Sequence, residues 1–142
     1  MTLPTQIKIE VKSDLKAVDL VLLRFNKIYD KTIVQQDWLQ CQLALVEGFT
    51  NAVRHAHKDL PPQTPIQIVI DVSLKKIVIR IWDYGEPFDL ENFIELVSQK
   101  DHNWQGSGRG IAIIKKVADT LSYERVSEKQ NCLTIVKFLK TR

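Results

Sequence analysis

Glu47-Gly-Phe-Thr-Asn51-Ala-Val-Arg-His55 is the stretch from which the rest of this chain can be read. It lies inside an apolar-periodic run from about Asp37 to Lys58 that stops before Leu60-Pro61-Pro62. Proline there removes a backbone donor and disfavours helix in the residue before it, so the spacing predicts one long helix with a firm end. Within it Glu47, Asn51, Arg54, His55 and Lys58 recur at helical intervals and share a face, while Leu45, Val46, Phe49, Ala52, Val53 and Ala56 cover the rest.

Periodicity alone favours a solvent-facing polar stripe, with His55 a helix-packing residue and Arg54 and Lys58 solvated. A carboxylate and an amide one turn apart also suit a Mg-nucleotide site. Asn51 can offer an oxygen to a hard cation, and Glu47 can take a hydroxyl proton.

Two more constellations lie downstream. Asp83-Tyr84-Gly85-Glu86-Pro87-Phe88-Asp89 follows directly on a strand-like run. As a surface turn it needs only Gly85 and Pro87. As a site it puts a carboxylate where a base amino group could donate to it, beside a glycine that lets backbone approach a flat ring. Gly106-Ser107-Gly108-Arg109-Gly110 opens a run marked by Ile111, Ile114, Val117 and Leu121. Glycines before a helix expose N–H groups and the positive end of its dipole to phosphate oxygens; a flexible hinge is the competing reading.

Around these motifs the pattern gives a half-buried strand at Ile7, Ile9 and Val11, with Ser13 as an N-cap for a helix over about 14–30. The apolar stripe of that helix is Leu15, Val18, Leu22, Phe25 and Tyr29. Ile66–Val72 and Ile77–Ile81 alternate across the polar turn 73–76 and predict an antiparallel hairpin. A short helix is expected near Leu90–Val97, a polar lid over about 98–106, and a closing pair of strands at about 122–127 and 132–139. The order suits an α+β two-layer sandwich in one domain spanning 1–142. Cys41 and Cys132 are expected to be reduced core residues, since their spacing matches no zinc or redox motif.

A net charge of +3 is spread among acids over the whole chain, without the basic stripe or tail of a nucleic-acid binder. The start, Met1-Thr-Leu-Pro-Thr-Gln6, has no basic region before an apolar core, and no apolar run approaches the ~18 residues of a membrane helix. A cytoplasmic protein, bound neither to nucleic acid nor to membrane, is therefore expected. No Walker-type phosphate loop and no strand-preceded dinucleotide fingerprint occurs, so a phosphate site must be built another way.

Taken in order, the three motifs resemble the N, G1 and G2 boxes of the GHKL ATPases. The short chain, with Pro87-Phe88-Asp89 closing the second box, resembles the anti-sigma factor serine/threonine-protein kinases of bacterial partner-switching systems. That resemblance covers roughly residues 5–140. It implies the Bergerat ATP-binding fold, a mixed and mostly antiparallel sheet covered by helices on one face. It also implies ATP and Mg²⁺ as cofactors, with Glu47 the general base, Asn51 the metal ligand and Asp83 the adenine reader. Gly85, Gly108 and Gly110 become close-approach glycines, and Arg54, His55, Phe88, Gly106, Ser107 and Arg109 complete the nucleotide site.

The implied substrate is a serine of a STAS-domain anti-sigma antagonist. A sigma factor is the second implied partner, and a homodimer through the first strand and helix is the implied assembly. Two positions depart from the family pattern. Gly106 stands where an arginine often precedes the glycine turn, leaving Arg109, Lys100 or Arg54 to meet a γ-phosphate. Asn131-Cys132-Leu133-Thr134 stands where a Gly-Thr pair usually begins the last strand. The first departure keeps open an alternative, a nucleotide-gated binding module that sequesters a regulator without transferring phosphate.

Overall fold

The computed structural model describes residues 3–87, 90 and 109–140. Its frame is a five-stranded sheet of β1 (Thr5–Lys12), β2 (Pro65–Val72), β3 (Lys76–Asp83), β4 (Thr120–Arg125) and β5 (Asn131–Phe138), in the order β1-β2-β3-β5-β4. Every neighbouring pair among these strands is antiparallel, so no parallel pair accompanies them. The helices are α1 (Val18–Asn26), α2 (Gln35–Asn51) and α3 (Arg109–Val117). The architecture is α+β, as the alternation of strand and helix patterns leads one to expect.

Alternation decides which face of the sheet is covered. Ile66, Ile68, Ile70 and Val72 of β2 pair in register with Val11, Ile9 and Ile7 of β1 on one side and Ile81, Ile79 and Ile77 of β3 on the other. Ile68, Ile70, Ile77, Ile79 and Ile81 lie buried with Leu45 and Phe49 of α2 and Ile111 and Ile114 of α3 in one continuous core. Gly48 sets how closely α2 approaches the sheet. A Cβ there would lie 2.6 Å from Ile81 Cδ1 and 3.4 Å from Leu133 Cδ2.

The first helical segment is shorter and differently phased than its apolar spacing suggests. Asp14, not Ser13, supplies the cap, accepting from the Lys16 N–H at 3.0 Å, while the Ser13 N–H donates to the Thr64 carbonyl. A 3₁₀ turn over Leu15–Ala17 then resets the phase, because three residues per turn replace 3.6. Val21, Phe25 and Ile28 are the residues buried against the domain's own core, and Tyr29 falls beyond the helix. Of the expected stripe only Phe25 is buried; Leu15, Val18 and Leu22 are half-buried, and Tyr29, Leu20 and Leu23 are exposed.

Trp38 fastens α1 to the start of α2. It stacks on Phe25 at 4.0 Å, meets the edge of Tyr29 and donates its indole N–H to Asn26 Oδ1 at 2.9 Å. Next to it in the chain, buried Asp37 accepts the Lys140 N–H at 2.9 Å and so ties the C-terminal segment to the same helix. Cys41 and Cys132 are free and buried, as expected. Leu90 is helical and buried, whereas the rest of the expected 90–97 helix and the 98–106 lid fall outside the described residues.

The α2–sheet contact has a direct test. Gly48→Val adds branched volume where even a Cβ is too close to Ile81, and overpacking of this kind costs about 1–3 kcal/mol. Urea unfolding should show a lower midpoint with far-UV circular dichroism unchanged; an unchanged midpoint would mean that α2 is not held this close to β3.

Candidate functional site

The polar stripe of the long helix is interrupted where it matters. After Asn51 the helix loosens into a π turn over Ala52–Ala56, closed by the His57 N–H bonding the Ala52 carbonyl at 2.9 Å. Such a turn holds an extra residue and rotates the residues beyond it, and π turns are frequent at functional sites. The single face expected of Glu47, Asn51, Arg54, His55 and Lys58 is therefore not kept. Asn51, His55 and Lys58 line a cleft of about 420 Å³ together with Tyr84, Gly85, Glu86 and Pro87, whereas Arg54 is exposed and not among the lining residues.

Asn51 is 8% exposed, and its side chain has no hydrogen-bond partner among the described residues. The residue is buried, yet its amide is not one of the buried unpaired groups, which among the described residues are Asp37 Oδ1 and His57 Nδ1, so it opens onto the cleft. Its oxygen fits a hard cation that takes its other ligands from phosphate and water. Glu47 stands one turn earlier at the junction with α3. Its Oε2 would lie 2.7 Å from a Cβ on Gly110, so that glycine makes room for the carboxylate of the neighbouring helix. No cluster of three or more His, Cys, Asp or Glu side chains suited to a metal occurs among the described residues.

Gly85 approaches something other than expected. A Cβ on it would sit 2.1 Å from the Ala56 carbonyl oxygen, so the glycine lets the turn after β3 pack on the chain's own helix end. Asp83 is 3% exposed and is not among the residues lining that cleft. Its carboxylate accepts the Gly85 N–H at 2.9 Å, the Asn131 side-chain amide at 2.8 Å and the Tyr123 hydroxyl at 3.0 Å. Burial, the Asp83 charge and this hydrogen bond push the Tyr123 hydroxyl far above its ordinary range, which keeps it a donor.

Sequence reasoning singled out His55, but His57 is the histidine built into the turn. It is 3% exposed, and its Nε2 accepts the Tyr84 N–H at 2.8 Å, so the neutral ring carries its proton on Nδ1, which is buried without a partner among the described residues. Burial lowers the His57 pKa, opposed by the Asp83 charge. His55, half-buried, is lowered by burial and then by Arg54 and Lys58. Tyr123, Arg125 and Asn131 were also missed, since only the β3–β5–β4 pairing brings them beside Asp83. Phe88, Gly106, Ser107, Gly108 and Lys100 lie outside the described residues, as does the side chain of Arg109, whose backbone opens α3.

Comparison with known proteins shows the family of the chain. The family model of the histidine kinase-like ATPase domain matches residues 11–137, and the chain belongs to that family, the GHKL or Bergerat-fold class. It is similar to the serine-protein kinase RsbW of Staphylococcus aureus, at 25% identity for the protein of strain MSSA476 and 26% for that of strain MRSA252. Each match runs over 140 residues and covers 94% of this chain and 87% of the relative. In fold it is similar to the crystal structure of the RsbU and RsbW domains of Rv1364c from Mycobacterium tuberculosis. That match has a TM-score of 0.66 at 12% identity, covering 96% of this chain and 33% of the other.

The His57 arrangement makes stability depend on pH. A folded-state pKa below the ordinary value of about 6.5 means that the unfolded chain binds a proton which the folded chain refuses. Stability is full above that value and falls as pH drops through it. His57→Gln keeps an acceptor for the Tyr84 N–H but does not titrate. Between about pH 7.5 and about pH 5 its melting temperature should fall less than that of the parent, with His55 accounting for part of the remainder. Equal slopes would show that His57 is not held neutral.

Proposed function

We propose that residues 1–142 act as one cytoplasmic domain, an ATP-dependent protein-serine kinase that phosphorylates a serine of a STAS-domain regulator in a partner-switching system. The observation that carries this reading is Asn51, a buried residue whose amide has no hydrogen-bond partner among the described residues and which lines a cleft together with Tyr84 and Gly85. Family membership and the likeness to proteins named serine-protein kinases support it further.

In this reading Asn51 would hold Mg²⁺ through its amide oxygen, and the ion would supply positive charge to offset that of the phosphates. Glu47 receives the proton of the partner serine hydroxyl as its oxygen attacks the γ-phosphorus, and ADP leaves. Asp83 accepts from an amino group of the base, and Lys58, exposed at the cleft, supplies positive charge near the phosphates. The start of α3, where Gly110 lies against the Glu47 carboxylate, would add the positive end of its helix dipole to the stabilisation of phosphate charge. The antagonist is the phosphoacceptor; a sigma factor and a second copy of the chain are the further proposed partners.

Incubation with γ-labelled ATP, Mg²⁺ and a STAS-domain protein encoded beside this chain tests the proposal. Label should appear on a serine of the partner. Glu47→Gln should leave Mg-ATP affinity nearly unchanged while lowering transfer by about 10²–10⁴, the usual contribution of a positioned base. Asn51→Ala should abolish the metal dependence of binding without unfolding the chain. Tight Mg-ATP binding with no transfer to any such partner would replace the kinase with the nucleotide-gated sequestering module that Gly106 makes its nearest alternative.

A further inference from the structure

Asn131 opens β5 directly opposite Asp83 of β3 on one side and Arg125 of β4 on the other. It is fully buried, and every polar atom of its side chain is used. The two amide hydrogens go to Asp83 Oδ1 and to the Gly85 carbonyl, each at 2.8 Å, while Oδ1 accepts from Arg125 Nη1 at 3.3 Å. Arg125 Nη1 also donates to the Gly85 carbonyl at 3.1 Å, and its other terminal nitrogen to the Glu128 carbonyl. The amide cannot be reversed. Turned over, its oxygen would face a carboxylate and a carbonyl, and its NH₂ would face a guanidinium.

That ring decides what Asp83 has left to offer. A carboxylate has about four acceptor positions. Oδ1 holds the Gly85 N–H and the Asn131 amide, and Oδ2 holds the Tyr123 hydroxyl. One position remains, on Oδ2, and the buried carboxylate cannot swing to present both oxygens while Asn131 and Gly85 grip the first. A single acceptor suits a base edge that offers one amino hydrogen. Guanine instead presents two neighbouring N–H donors, which a carboxylate answers best with both oxygens.

We propose that Asn131 is a specificity-determining positioning residue: by occupying Asp83 Oδ1 it leaves one acceptor for the nucleobase and so selects adenine against guanine. The inference rests on the nucleotide-site reading above. Arg125 acts through Asn131 by fixing the direction of its amide. Neither residue is on α2 or α3 or lines the cleft beside Asn51, so the proposed phosphate chemistry does not involve them.

Calorimetric titration with Mg·ATP and Mg·GTP, using the full chain, Asn131→Ala and Arg125→Met, tests it. The parent should prefer ATP. In Asn131→Ala the ATP-to-GTP affinity ratio should fall by about tenfold or more, the scale at which base edges are discriminated by paired hydrogen bonds. Arg125 has an exposed side chain whose loss spares the core, so Arg125→Met should shift the ratio the same way by less, and it carries the test if Asn131→Ala does not fold. A parent that binds ATP, with both folded variants weakening the two nucleotides equally or leaving the ratio unchanged, would overturn the proposal while sparing the nucleotide site. A parent that binds neither nucleotide would overturn that reading and this inference with it.

Discussion

The contact of Gly85 with the carbonyl of Ala56 is the constraint on which the rest of the site depends. With a Cβ excluded at 2.1 Å, the turn that leaves β3 and the loosened end of α2 meet backbone to backbone. Once they meet, His57 can accept the Tyr84 N–H from one side, and Asn131 can take the Gly85 carbonyl from the other. The cleft is the space left over where helix end and turn diverge. Its walls are therefore set by backbone packing and buried hydrogen bonds, which hold their geometry better than exposed side chains do.

The two sides of the cleft differ in how their polar groups are satisfied. Asp83 is saturated but for one acceptor position, as suits a group that must be held in place before a ligand arrives. Asn51 has no partner among the described residues, as suits a group whose partner is brought from outside. Glu47 is half-buried against α3 and free of an ion pair among the described residues. In the proposed reading, preset recognition, an open metal ligand and an unencumbered carboxylate are different demands. The fold meets them on different elements, with α2 and β3 bearing the main residues.

Much of this was legible in the residue order. Alternation in Ile66–Val72 and Ile77–Ile81 places both strands of the central hairpin within a residue or two, because period-two burial on one face leaves little freedom of register. The first two motifs supply Asn51, His55, Gly85, Glu86 and Pro87 to one cleft. What the residue order does not carry is whatever depends on helix phase or distant pairing. A π turn at Ala52–Ala56 has no spacing signature, so His55 stands out in a helical pattern although His57 turns inward. The 3₁₀ turn at Leu15–Ala17 shifts the buried stripe of α1 for the same reason. Asn131, Tyr123 and Arg125 lie some forty or more positions from Asp83, and only strand pairing makes them neighbours. Gly85 and Gly110 were recognisable as close-approach glycines, but the groups they admit belong to this chain.

The account's central claim is that a nucleotide binds where the end of α2 faces the turn after β3. Mapping backbone amide shifts by NMR as Mg·ADP is added tests it most directly. The amides of Asn51, Tyr84, Gly85 and Gly110 should move together along one saturable curve, while those of the β1–β2 edge, from Gln6 to Glu10, should stay in place. Saturable binding with shifts confined to that edge or to the uncovered face of the sheet, or no shift at Tyr84 and Gly85 at all, would contradict it.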